Sequence, residues 1–374
     1  MEGNYKMKIL ILNWKDIKNP RAGGAEVLTH ELAKGWVATG HKVTLFSSLF
    51  KGSKEREDVD GVEIIRAGNV ISVYWQAYVY YKKEFKGGFD LIVDEINTIP
   101  FFSNLYAKEK VICFVNQLAK EIWFYEFVFP VSLFGYLMEP FFIKSYNNND
   151  VITVSDSTKD DLINLGFKEN RISIIPMGIE FKPLNGLPDK EELPTLIYVG
   201  RLKKSKRVHH IIEAYKLAKA KQPDLKLWIV GNGDKSYKGQ LYNLAKDDTG
   251  IKFFHTLNNK DKLRLMSLAH LIVVASVREG WGLIVTEANA MGTPALTYSV
   301  QGLKNSVSEG VNGFFTKENT IEALAESIVT YLSKSNGEKL KDCQKALESS
   351  KKYSWNTTVK ESLKIINRIT SQKE

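Results

Sequence analysis

"LIVVASVREGWGLIVTEANAMGTPAL" (Leu271–Leu296) decides the reading of the second half of the chain. It opens on a branched apolar run, Leu271–Ser276, that suits a buried strand, and passes into a turn carrying Gly280 and Gly282. From Leu283 the apolar spacing is helical, and it stops at Gly292, the residue type that commonly closes a helix. Strand, glycine turn and helix in that order build parallel sheets, whose ligands gather where loop amides and helix N-termini point outward from the strand ends. Two carboxylates fall there: Glu279 in the turn and Glu287 in the helix, with seven residues between them. The glycines let backbone approach a ligand closely. The free amides from Trp281 to Ile284 suit an anion or sugar oxygens. A carboxylate accepts hydrogen bonds from hydroxyls. The combination points to a ligand carrying both phosphate and polyol, such as a nucleotide sugar. Either glutamate alone could equally be a helix-dipole partner or a solvated charge, so other stretches must decide.

The same unit recurs along the chain. Strands are expected at Lys8–Leu12, Lys42–Phe46, Val62–Arg66, Leu91–Val93, Val111–Val115 and Val151–Val154, then at Thr195–Val199, Leu225–Val230, Leu271–Val274 and Pro294–Thr297. Amphipathic stretches lie between them: Leu28, Leu32 and Trp36 share one helical face, and Val208, Ile211, Ile212 and Tyr215 another. Strands alternating with such helices predict an α/β fold of doubly wound parallel sheets. A chain of 374 residues exceeds one ordinary core. The proline-rich stretch Pro176–Pro194 reads as a linker between two domains, 1–177 and 178–355, facing each other across a cleft.

Two further turns favour the phosphate reading. "YVGRLKKSKRV" places Arg201 and Lys206 just after a strand of the same domain, where two cations would stabilise a diphosphate leaving group. "WIVGNGD" ends another strand at Gly231 and Gly233. In the first domain "NPRAGGAEV" sets Gly23 and Gly24 between the first strand and first helix, without the full G-x-G-x-x-G pattern of a dinucleotide enzyme.

The ordered set "RAGGAE", "VITVSDSTKDDLINLGF", "IIPMGIE", "VGRLKKSKRVHHIIEAY", "VGNGD", "REGWGLIVTEANAMGTPAL" and "GLKNSVSEGVNGFF" resembles glycosyltransferase family 4, from about residue 7 to beyond 350. The resemblance implies the GT-B fold of two Rossmann-like domains, with a final helix, 356–374, crossing back onto the first. It implies retaining transfer of a hexose from a UDP- or GDP-sugar, with no cofactor and no metal. Arg201 and Lys206 match the pair that binds the donor diphosphate, and Glu279 matches the glutamate on the donor sugar, with the amides of Trp281, Gly282 and Leu283 alongside. Glu287 matches the ribose contact, and Gly23 and Gly24 the loop over the diphosphate. Asn116 stands before Gln117 where many members have histidine near the donor sugar, and His255 replaces a common glycine near the base.

The formal charge of +9 fits anionic company. Two distant cysteines fit a reducing compartment, and no apolar run reaches the length of a membrane span. The expected location is cytoplasmic, peripheral on the inner face of the cell membrane. The aromatic stretches Val73–Gly87 and Glu121–Phe142 suit either a packed core or, through Trp75, Tyr78, Lys82 and Lys83, an anionic membrane surface presenting a glycan or lipid-linked acceptor. Glu95 and Asn97 follow a strand of that domain and are candidate acceptor contacts. No nucleic-acid partner is expected. Two other functions share these features: a UDP-sugar epimerase of the same fold, and a non-catalytic nucleotide-sugar or glycan-binding subunit. A glycosidase using both glutamates would have no need of the cation pair.

Overall fold

Runs such as "KILIL" and "TLIYV" are apolar on both faces, so they are stable only at the centre of a sheet covered on both sides. The computed structural model, which describes residues 6–255 and 257–371, builds two such sheets. The first contains β1 (Lys8–Leu12), β2 (Lys42–Ser47), β3 (Arg56–Val59), β4 (Val62–Arg66), β5 (Leu91–Ile96), β6 (Lys110–Val115), β7 (Asp150–Thr153) and β8 (Ile172–Ile174). Its order is β3-β4-β2-β1-β5-β6-β7-β8, parallel except for the β3–β4 pair. The second contains β9 (Thr195–Val199), β10 (Lys226–Val230), β11 (Ile251–Phe254), β12 (Leu271–Val274), β13 (Ala295–Thr297) and β14 (Gly313–Phe315). Its order is β11-β10-β9-β12-β13-β14, parallel throughout.

Each sheet reverses direction of growth beside its first strand, between β1 and β5 and between β9 and β12. At such a reversal the two neighbouring turns diverge to opposite faces and leave a crevice at the strand ends. The helices that cover the sheets bury the expected faces. Leu28, Leu32 and Trp36 are buried on the helix Gly24–Ala38, and Val208, Ile211, Ile212 and Tyr215 on the helix Val208–Lys219.

The chain divides into two compact units. One comprises residues 1–120, 133–178 and 354–374, the other 121–132 and 179–353. The stretch 121–132, assigned from sequence to the first half, thus groups with the second unit. Its aromatic composition suggests burial, yet of its large side chains only Trp123 is buried, while Phe124, Phe127, Val128 and Phe129 stay exposed. The prolines of 176–194 leave the chain without helix or strand from 175 to 194. Lys190 fastens this stretch to the second unit, donating to Ser267 O, Gly292 O and Thr293 Oγ1 at 2.8–2.9 Å.

The helix Trp355–Ser371 returns to the first unit, and the expected positions 372–374, like residues 1–5, lie outside the described residues. There Trp36 Nε1 donates to Ser362 Oγ at 2.9 Å in a buried contact. Gly35 makes room for it: a Cβ at that position would come 2.3 Å from Val359 Cγ2. No described helix is long and apolar enough to cross a membrane.

Candidate active site

The turns after β9 and β12 meet at the second sheet's reversal. Ser205 O accepts from Val277 N at 2.9 Å, tying one turn to the other. Lys206 Nζ donates to Glu279 Oε1 at 2.6 Å, and Ser276 Oγ donates to the same oxygen at 2.7 Å. Residues 73 apart in sequence are thereby joined into one charged pair, partly open to solvent. The other end of Glu279 is fixed by backbone. Its N–H donates to Gln301 O at 3.2 Å, and a Cβ on Gly302 would lie 2.0 Å from Glu279 O, so only glycine permits this approach. Gly282, at φ +95°, turns the chain into the helix Leu283–Ala290.

Arg201 is exposed on the turn after β9. Glu287, in the first turns of the helix Leu283–Ala290, pairs with Lys262 Nζ at 2.9 Å, so each of the two glutamates carries its own lysine. Trp281 turns its indole inward, Nε1 donating to Thr286 Oγ1 at 3.0 Å, which leaves its backbone as the group available to a ligand. Gly231 and Gly233 have a structural reason of their own. A Cβ on them would fall 1.9 Å from Gly200 O and 2.0 Å from Leu202 O, so they let the turn after β10 lie directly against the turn after β9. His255 is exposed after β11, its Nδ1 3.2 Å from Tyr242 Oη. Ser276 and Lys262 were missed from sequence. Ser276 ends the very strand that was read, and its place before a glycine turn was the signal; nothing local marks Lys262.

In the first unit the turn after β1 ends at Gly23, and Gly24 opens the helix Gly24–Ala38. Gly23 N donates to Glu26 Oε2 at 2.6 Å, and Lys15 pairs with Glu26 at 3.0 Å, both side chains buried. Beyond β6, Asn116 Nδ2 and Gln117 Oε1 are buried without a hydrogen-bond partner among the described residues. No cluster of three or more metal-ligating side chains occurs among the described residues.

Glu95 differs from expectation. It is only 2% exposed, and its carboxyl is engaged by Asn13 and Thr29 inside the protein, so it offers no open face to an acceptor. Asn97 Nδ2 donates to Asn13 Oδ1 at 3.1 Å, and Asn13 Nδ2 donates to Glu95 Oε2 at 2.7 Å. Thr29 Oγ1 lies 2.6 Å from Glu95 Oε1 and 2.9 Å from Ala25 O. One hydroxyl proton cannot serve both. A neutral carboxylic acid resolves this by donating to Thr29, which then donates to Ala25 O. Burial, with Glu26 and Asp94 adding to it against the Thr29 contact, pushes Glu95 up to about 8 from 4.5. The unfolded chain therefore holds fewer protons here than the folded one from about pH 4.5 to 8, and stability falls as pH rises through that window. Glu95→Gln should flatten the decline of Tm between about pH 5 and 8. Parallel Tm curves for variant and wild type would show an ionised Glu95 instead.

Two doubly wound sheets, with a cation–carboxylate pair at the reversal of the second, define a two-domain protein of the GT-B class. A sequence profile described as Glycosyltransferase Family 4 matches residues 22–182, and one described as Glycosyl transferases group 1 matches residues 184–350. The chain is a glycosyltransferase and belongs to family 4. It is 25% identical to an uncharacterized glycosyltransferase of Methanocaldococcus jannaschii over 96% of this chain and 97% of that one. It spans about half the length of several other curated relatives that it matches. In structure it resembles a sucrose-phosphate synthase of Thermosynechococcus elongatus, with a TM-score of 0.80, 18% identity and coverage of 98% and 100% of the two chains. It also resembles the Anabaena protein HepE solved with UDP and glucose, with a TM-score of 0.72, 19% identity and coverage of 96% and 99%. These structural likenesses establish the fold.

Proposed function

We propose that the protein transfers a hexose from a UDP- or GDP-sugar, with retention at the anomeric carbon, to a glycan or lipid-linked acceptor at the cytoplasmic face of a membrane, as in cell-surface glycan, N-glycan or glycolipid assembly. The observation that carries this is the Lys206–Glu279 pair, held by Ser276 at the strand-order reversal. Arg201 and Lys206 face the departing diphosphate and offset its growing charge without a resident metal. Glu279 receives hydroxyls of the donor sugar, and Glu287 the ribose. The amides of Trp281, Gly282 and Leu283 lie alongside, the turn of Gly23 and Gly24 closes over the diphosphate, and Gly231, Gly233 and His255 border the nucleotide. Asn116, Gln117 and Asn97 are the sugar-side and acceptor-side polar groups. HepE was solved with UDP, which supports a uridine donor as the first to try. The deciding experiment incubates the enzyme with UDP- and GDP-sugars and analyses products. Nucleotide release with a new glycosidic bond of unchanged anomeric configuration is expected. An altered sugar still attached to its nucleotide would make it an epimerase, and binding without turnover a non-catalytic subunit.

The membrane part of this reading rests on exposed apolar surface in the first unit. Phe134, Leu137 and Phe141 are 63%, 55% and 66% exposed and fall on one face of the helix Val131–Lys144. Elsewhere in the unit Trp75, 65% exposed, stacks on Tyr78, over which Lys82 Nζ lies 5.4 Å from the ring centroid. Other aromatics of the two stretches, such as Tyr81, Phe85 and Trp123, are buried, so core packing and surface display divide them. Lys82, Lys83 and Lys86 are exposed, and each should add about 1 kcal/mol of attraction near an anionic surface. The protein is expected to sediment with anionic but not neutral liposomes. That binding should be lost on changing these three lysines to glutamate, and weakened as salt shortens the screening length to about 3 Å at 1 M. Partitioning to neither type would favour a soluble acceptor, and equal partitioning to both would assign the attraction to the apolar face and not to the lysines.

A further inference from the structure

The stretch 121–132, which follows β6 and ends in the first turn of the helix Val131–Lys144, packs within the second unit on the turn that carries the cation pair. Its short helix, Ile122–Glu126, is seated by the buried Trp123, whose ring stacks on Phe127 at 4.8 Å. Three of its side chains grip the turns after β9 and β12. Glu126 accepts from Lys203 Nζ and, through its second oxygen, from Ser205 Oγ at 2.5 Å. Tyr125 Oη accepts from Arg207 Nη2 at 2.7 Å, and Glu121 lies 3.7 Å from Arg278 Nη1. Burial works against the ionised Glu126 carboxyl, but Lys203 and Ser205 hold it below the ordinary carboxylate range, so it stays charged at neutral pH.

We propose that Glu126 is a positioning residue of the donor site, and that 121–126 is a brace without which the turn after β9 is not held ready for a diphosphate. The turn needs one. It carries Arg201, Lys203, Lys204, Lys206 and Arg207 within seven residues, and like charges so close drive one another apart unless a carboxylate stands among them. Glu126 neutralises Lys203, which is not one of the two proposed diphosphate cations, and so relieves repulsion without occupying Arg201 or Lys206. Through Ser205 it also fixes the residue whose carbonyl holds Val277, and hence the turn bearing Glu279. The brace comes from the half of the sequence assigned to the acceptor, so the donor unit is incomplete within 179–353 alone.

The inference rests on the donor-site reading, and the test separates the two. UDP and GDP are used as probes on the full chain, with affinity measured by calorimetry and donor KM and kcat measured alongside. Glu126→Lys should weaken nucleotide binding by about tenfold or more and raise donor KM. Adding Lys203→Glu to it should restore affinity to within about threefold, since the pair is then re-formed in reverse. A swap no better than the single variant, or a single variant within about twofold of wild type, would overturn the brace. Tm measured on each variant distinguishes an unfolded protein, for which Glu126→Gln replaces it: the amide keeps the Ser205 bond and loses the charge, and should weaken binding by about threefold to tenfold. If Arg201→Ala leaves nucleotide affinity unchanged, the donor-site reading itself falls and the brace falls with it.

Discussion

Glu279→Ala is expected to reduce transfer by about a hundredfold to a thousandfold, the scale on which one preorganised charge or hydrogen-bonding group acts in a closed site. The fold should survive. The Lys206–Glu279 side chains are 21% and 14% exposed, so leaving Lys206 unpaired should lower Tm somewhat without unfolding the chain. The turn itself is set by backbone, through Glu279 N on Gln301 O and the close approach of Gly302. Glu279→Gln separates two roles: an amide can still hydrogen-bond a sugar hydroxyl but cannot balance Lys206. Turnover within a few fold of wild type in the alanine variant, with its cognate donor, would remove Glu279 from the sugar site.

The second large effect falls on the cations. Arg201→Ala and Lys206→Ala should each cost about 2–4 kcal/mol in kcat/KM, through weaker donor binding and a less stabilised leaving group. The structure adds an asymmetry. Arg201 stands exposed, whereas Lys206 is bound to Glu279, so Lys206→Ala both removes a cation and releases the carboxylate. Lys206→Ala should therefore be the more damaging, and combining it with Glu279→Ala should cost clearly less than the sum of the two, as coupled neighbours do. Losses below about tenfold in both single variants, about 1.4 kcal/mol, would show that neither meets the diphosphate.

What the sequence made legible follows from where the physics is local. β9 and β12 were readable because a strand buried on both faces must be apolar throughout, and the glycines after them mark turns that any side chain would obstruct. Edge strands gave no such signal. β3 is "REDV", charged as exposed edges are, and β8 and β14 are three residues long. In "VDEIN" both Asp94 and Glu95 are buried, because β5 lies inside its sheet and has no solvent face to which alternate residues could turn. Glycines carry another ambiguity: a strand ending at Gly231 and Gly233 suits a phosphate-binding turn, and the immediate cause of both glycines is the neighbouring backbone. Pairings were beyond reach. Nothing near Glu287 announces Lys262, and nothing near Glu126 announces Lys203, because each partner is chosen by the fold and not by its neighbours in sequence.

The return of the helix Trp355–Ser371 onto Gly24–Ala38 has a consequence for how the protein is made. The indole of Trp36 finds its partner 326 positions later, at Ser362, and the notch at Gly35 is filled by Val359. Until that helix has left the ribosome, the helix Gly24–Ala38, made long before it, has an uncovered face. The second unit, whose parts all lie between 121 and 353, can close during synthesis while the first waits. Vectorial translation thus reverses the order in which the two halves mature. A ribosome stalled after about residue 353 should hold a nearly finished second unit beside an open first one, detectable as protease sensitivity confined to the earlier half.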